Sequence, residues 1–120
     1  MGWSGIDSRR SVRVSFECVV IVKKKDTSLI FRTQTENISV GGTCLILEKA
    51  LLKHTPVEVE LFLPDDPIPV NCEGKVSWSV RRSEYLKKKS RQFDTGIEFT
   101  NITDEDKARL KRIIEELLEY

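Results

Sequence analysis

The chain has 120 residues, 39% of them hydrophobic and 32% charged, with a formal net charge of +1. That length suits one domain, able to bury about two-thirds of its unfolded surface without metal or disulfide help. A charge so near zero excludes a global basic field for gathering nucleic acid, so any anion site must be local.

Residues 1–11 are polar and aperiodic and predict a flexible arm. This stretch has no apolar signal core, and Ile6 stands where a myristoylation motif needs Ser or Thr. Val12, Val14, Phe16, Cys18, Val20 and Val22 then alternate with Arg13, Ser15, Glu17, Val19 and Ile21. Period two over that length predicts one strand with one buried face. "KKKDTS" is a polar turn. "LIFRTQTENI" is a second strand, "NISVGG" breaks it, and "TCLILE" is a third. "VEVELFL" alternates apolar and acidic residues, as a half-buried fourth strand does, and "PDDPIP" after it is turn chemistry. "VNCEGKVSWSV" is a fifth strand, with Gly74 as a bulge candidate. "RRSEYLKKKSRQ" is a charged connection and "FDTGIEF" a sixth strand.

The period then changes. Ala108, Leu110, Ile113, Ile114, Leu117 and Leu118 recur at three and four, predicting an amphipathic helix over 103–119. Thr103 is its cap, with Asp106 as a carboxylate variant of the capping box. Asp104, Glu105 and Asp106 suit the positive end of the helix dipole. Six strands and one helix predict an antiparallel barrel or sandwich over 12–100 with a C-terminal α-helix, one domain over 1–120.

Catalytic chemistry finds little footing. His54 is the only histidine, so it has no histidine partner for a metal or an acid–base relay. Asp65 and Asp66 lie in a Pro-bounded turn, which accounts for them. No nucleophile elbow, P-loop or dinucleotide glycine signature occurs. The expectation is a non-enzyme without cofactor. Cys18, Cys44 and Cys72 lack metal-ligand spacing and read as buried reduced thiols, in keeping with a cytoplasmic protein. No apolar run approaches the ~18 residues of a membrane helix, so no membrane insertion is expected.

Four features stand out. Arg9, Arg10 and Arg13 crowd the mouth of the first strand, as a solvated cluster or as an anion site. "NISVGG" is either a plain hairpin turn or an open backbone surface for a ligand. Arg81, Arg82, Lys87 to Lys89 and Arg91 form a basic loop, either solvated or contacting a partner. Trp78, in a strand, is a core residue or a stacking platform, and Trp3 lies on the arm.

"RRSVR" matches the RRxxR motif of PilZ domains, and Asn37, Ser39 and Gly42, with Gly41, match the family's [D/N]xSxxG motif. The two motifs have the family's separation. "CEGKVSWSV" and "TGIEFTNITDEDKARLKRII" resemble its later strands and terminal helix. The chain therefore resembles the PilZ family from about Asp7 onward. That resemblance implies a six-stranded antiparallel β-barrel, a split barrel with a C-terminal α-helix, and a cyclic di-GMP receptor, with Arg9, Arg10, Arg13, Asn37, Ser39, Gly41, Gly42 and Trp78 as ligand-binding residues. Many members carry Asp where this chain has Asn37, which implies weaker binding here. The expected mechanism is an ordering switch: the ligand pins the arginine arm to the barrel and alters the surface offered to a protein partner. Since the chain is little more than one domain, its output is expected to be a partner interaction. Two alternatives stand beside this one, a ligand-independent PilZ-like interaction module and a small nucleic-acid-binding barrel using the basic loop.

Overall fold

The computed structural model describes residues 14–15, 17–64, 66–82 and 92–118. Seven strands occur among them: β1 Val14–Ser15, β2 Val19–Lys24, β3 Ile30–Ser39, β4 Gly42–Leu47, β5 Pro56–Phe62, β6 Val70–Arg81 and β7 Phe93–Ile102. One helix follows, α1 Asp104–Leu118. All pairings are antiparallel. The strands run in the order β1-β3-β2-β5-β6-β7-β4, and β4 returns to β3. That last pairing closes a six-stranded barrel, as expected, and removes the open edges that invite aggregation.

The extra strand comes from the first expected one, which is broken. Val14 and Ser15 pair with Ile38 and Asn37, while Val19 to Lys23 pair with Gln34 to Ile30 along the same edge of β3. At the break Thr35 holds the Cys18 backbone twice. Its N–H donates to the Cys18 carbonyl at 3.0 Å, and its hydroxyl accepts from the Cys18 N–H at 3.1 Å. The expected arm, Phe16 and the connection over 83–91 lie outside the described residues.

The alternation works as the pattern predicts. Val20, Val22, Val57, Val59 and Leu61 are sealed inside the barrel, while Glu58 stays exposed. Each fully buried Val or Leu contributes roughly 1.5–3 kcal/mol relative to exposure. The bulge anticipated at Gly74 is present, but the extra residue is Thr100 on the facing strand, between the pairs Glu73↔Asn101 and Gly74↔Phe99. All three cysteines are buried and none is in a disulfide. Burial, aided by the nearby Asp106 charge, pushes the Cys72 thiol up to about 12, and burial raises Cys18 against a lowering bond from Thr35. The Cys44 thiol donates to the Glu36 carboxylate at 3.8 Å.

Helix α1 packs against β1, β3 and β6. Leu110 and Ile114 are buried and Ile113 and Leu117 half-buried. Ala108 and Leu118, expected on the same stripe, are exposed. At about 100° per residue Ala108 falls nearly opposite the arc centred between Leu110 and Leu117, and Leu118 falls about 90° to one side of it. Thr103 caps as predicted, accepting the Asp106 N–H at 3.1 Å. The Asp106 carboxylate turns elsewhere, to the Asn71 N–H at 3.3 Å and the Arg109 guanidinium at 2.9 Å.

Arg109 also donates to Asp66 at 2.7 Å and to the carbonyl of Ile68, tying the helix to the 64–69 turn. The Ile68 N–H, then Arg109, hold the Asp66 carboxyl below its ordinary value. A depressed carboxyl contributes stability above its unfolded pKa, and that stability disappears as pH falls through the folded value. The midpoint of urea unfolding should therefore drop as pH falls below about 4. Asp66→Asn should flatten that part of the profile, and an unchanged profile would refute the assignment.

Candidate functional site

The outer wall of the barrel is shaped by two bulges. Along β3, Phe31, Thr33 and Thr35 face inward beside Val22, Val20 and Leu45. Between the pairs Thr35↔Leu45 and Asn37↔Cys44, β3 carries one extra residue, Glu36. An extra residue reverses the in–out alternation beyond it. Ile38 thus turns into the core and Asn37 turns out. The Thr43 hydroxyl donates to the Asn37 carbonyl at 2.9 Å.

A second bulge lies on β6. Val76 pairs with Ile97 and Trp78 with Gly96, which leaves Ser77 as the extra residue. Val76 is sealed inside, whereas Trp78 is 43% exposed and Val80 57%. Trp78 is therefore an outer-wall residue and not a core one. Its indole lies directly over Gly96, where a Cβ would sit 2.4 Å from ring atoms.

These reversals line up one cross-strand row. Ser15 pairs with Asn37, Asn37 with Cys44, Cys44 with Gly96 and Gly96 with Trp78. Adjacent strands lie about 4.8 Å apart, so Asn37 and Trp78 are about 14 Å apart across one face. The next row holds Ile46, Asp94 and Val80. Across it Arg82 reaches Glu36 at 3.2 Å and Asp94 at 3.6 Å.

The hairpin at the end of the wall is tighter than the sequence implies. Ser39 pairs with Gly42, so only Val40 and Gly41 form the loop and Gly42 belongs to β4. The Ser39 side chain is 1% exposed. Its hydroxyl accepts the Gly41 N–H at 3.2 Å and donates to the Gly42 carbonyl at 3.4 Å, so here it shapes the turn. Gly42 meets a steric demand, because a Cβ would lie 2.3 Å from the Ile97 carbonyl oxygen. Arg9, Arg10 and Arg13 lie outside the described residues, although Val14, the first residue of β1, follows Arg13 directly. Reasoning from sequence missed Glu36, Asp94 and Gly96. The signal for Gly96 was its place in "TGIEF", while nothing local marks the two carboxylates.

Two concavities lie elsewhere. One, of about 640 Å³, lies among Ile21, Glu58, Glu60, Asn71 and Glu73 on another flank of the barrel. The other, of about 650 Å³, reaches the wall only at Glu36 and Ile46. No group of His, Cys, Asp and Glu among the described residues could hold a metal ion. No helix among them is long and apolar enough to cross a membrane.

The sequence model of the PilZ domain matches residues 7–116. The chain belongs to the PilZ domain family. The match takes in the RRSVR segment, the hairpin and the terminal helix. Solved structures share this PilZ fold at low identity. The PilZ domain with c-di-GMP of YcgR from Escherichia coli has 20% identity and a TM-score of 0.71, with 92% of each chain covered. The K. pneumonia MrkH–c-di-GMP complex has 15% identity and a TM-score of 0.76, over 94% of this chain and 53% of that one. The Bacillus subtilis inhibitor of motility MotI/DgrA has 21% identity and a TM-score of 0.73, over 95% and 54%. This PilZ chain thus spans about half the length of the MrkH and MotI chains. No curated protein matches it by sequence.

Proposed function

We propose that this PilZ domain is a receptor for cyclic di-GMP that signals through a protein partner and performs no catalysis of its own. The observation that carries the reading is the outer row, in which two bulges bring Asn37 and Trp78 to one face beside the strand that follows Arg13. The structures of YcgR and MrkH with c-di-GMP support it from within the fold family.

The chemistry suits the ligand. Cyclic di-GMP carries two phosphodiester charges and two guanines. A guanidinium fork matches guanine O6 and N7, or two phosphate oxygens, as lysine does not. Val14 is fixed on the ladder opposite Ile38, and consecutive Cα atoms are about 3.8 Å apart. Arg13 precedes Val14 directly in sequence, and the four residues from Arg9 to Arg13 span at most about 14 Å of extended chain. Trp78 offers an indole, backed by Gly96, on which a guanine or a guanidinium can stack. Asn37 accepts or donates at a base edge but, unlike Asp, cannot accept from two guanine donors with both side-chain atoms. Ser39, Gly41 and Gly42 form the rim of the same site. Holding the arginine segment on the wall costs chain entropy, which subtracts from the gross contact energy. The ordered segment then presents a new surface to the partner. With a net charge of +1, nucleic acid is not the expected target.

Calorimetry with cyclic di-GMP tests this. Arg9→Ala and Arg13→Ala should each weaken binding by about tenfold to a hundredfold, as loss of a bidentate contact implies. Amide signals from Asn37 to Gly42 should move on titration. Binding indifferent to both substitutions would reject the site, and tight, strongly salt-dependent binding of random oligonucleotides instead would reject the ligand.

A further inference from the structure

The wall poses an electrostatic problem for a dianionic ligand. Glu36 is the neighbour of Asn37, and its carboxylate is only half-buried. Asp94 lies two residues before Gly96 on β7, about 6.8 Å along the strand from the row that holds Trp78. Two carboxylates at that range repel a phosphodiester by an amount that reaches the scale of a tenfold change in affinity. Among the described residues one cation lies within ion-pair range of both. Arg82 donates from Nη2 to Glu36 Oε2 at 3.2 Å, and its Nε stands 3.6 Å from Asp94 Oδ1. Its backbone is fixed as well, with its N–H on the Gln92 carbonyl at 2.8 Å. Strands β3 and β7 thus meet on one guanidinium, carried by the residue just past the end of β6.

Resting on the cyclic di-GMP reading, we infer that Arg82 is a positioning residue for the ligand wall: it screens Glu36 and Asp94 and keeps them turned from the anion, without touching the ligand. The bidentate-capable fork matters, because one side chain must serve carboxylates on two different strands. The basic residues around 81–91 therefore divide. Arg82 belongs to the wall, whatever the rest of that connection does.

The test is a set of charge variants titrated calorimetrically with cyclic di-GMP, with thermal melts as the control for folding. Arg82→Ala should lose about tenfold in affinity, since it exposes two carboxylates. The loss should shrink as salt rises. Arg82→Lys should keep part of the affinity. The triple variant Arg82→Ala, Glu36→Gln, Asp94→Asn should return to within a few fold of wild type, because the repulsion is gone together with its screen. A triple variant that stays as weak as Arg82→Ala would mean that Arg82 grips the ligand itself, and would overturn the inference. Unchanged affinity in Arg82→Ala would overturn it too, while leaving the receptor reading intact. A wild-type chain and a Glu36→Gln, Asp94→Asn variant that both fail to bind would overturn the receptor reading itself and this inference with it.

Discussion

Gly42→Ala should destabilise the fold by about 3 kcal/mol, the upper range for forcing an atom into packed space. The added Cβ would lie 2.3 Å from the Ile97 carbonyl oxygen and 3.4 Å from the Glu98 Cα. Both belong to the backbone of β7, which is laddered to β4 on one side and β6 on the other. Neither can move without breaking pairs on both edges. The melting temperature should fall by roughly 10 °C for a chain of this size. The urea midpoint should fall while the slope stays constant, as expected when the native state alone is strained. A melt unchanged within a degree would show that β4 and β7 tolerate a wider spacing. The result also bears on function. Gly42 belongs to the motif that the family resemblance ties to ligand contact, so a Gly42 variant that loses cyclic di-GMP would first be reporting a damaged barrel.

Gly96→Ala should do the opposite. Its Cβ would also clash, at 2.4 Å, but with ring atoms of Trp78. That ring is 43% exposed and can swing toward solvent. The stability cost should be about 1 kcal/mol or less, as when an overpacked site can relax. Affinity should nonetheless fall by about tenfold, since stacking on an aromatic is worth about 1–3 kcal/mol per base. A red shift in tryptophan emission would report the displaced indole. Affinity at the wild-type level despite that shift would remove Trp78 from the site. The two glycines make a matched pair: one faces a carbonyl that cannot yield, the other a side chain that can.

The outward position of Trp78 shows where reading the chain reached its limit. Val70, Cys72, Val76, Trp78 and Val80 all occupy even positions, and strict alternation would put every one inside. The extra residue Ser77 exists only relative to β7, because a bulge is defined by the strand it faces. Glu36 is the same case against β4. Arg82 and Glu36 are 46 positions apart and meet only because the barrel closes. No local pattern carries such contacts.

By itself the order of residues determined most of the strands and, up to each bulge, their buried faces, the terminal helix, its Thr103 cap and the family motifs. These depend on neighbours two to four positions away, and period and capping report on that range. Tertiary structure alone decided that the first strand breaks around Cys18, that Asn37 and Trp78 share the outer wall, and that Gly42 and Gly96 are needed for opposite reasons. Each of those outcomes depends on which strand lies alongside and in what register, and barrel closure sets both.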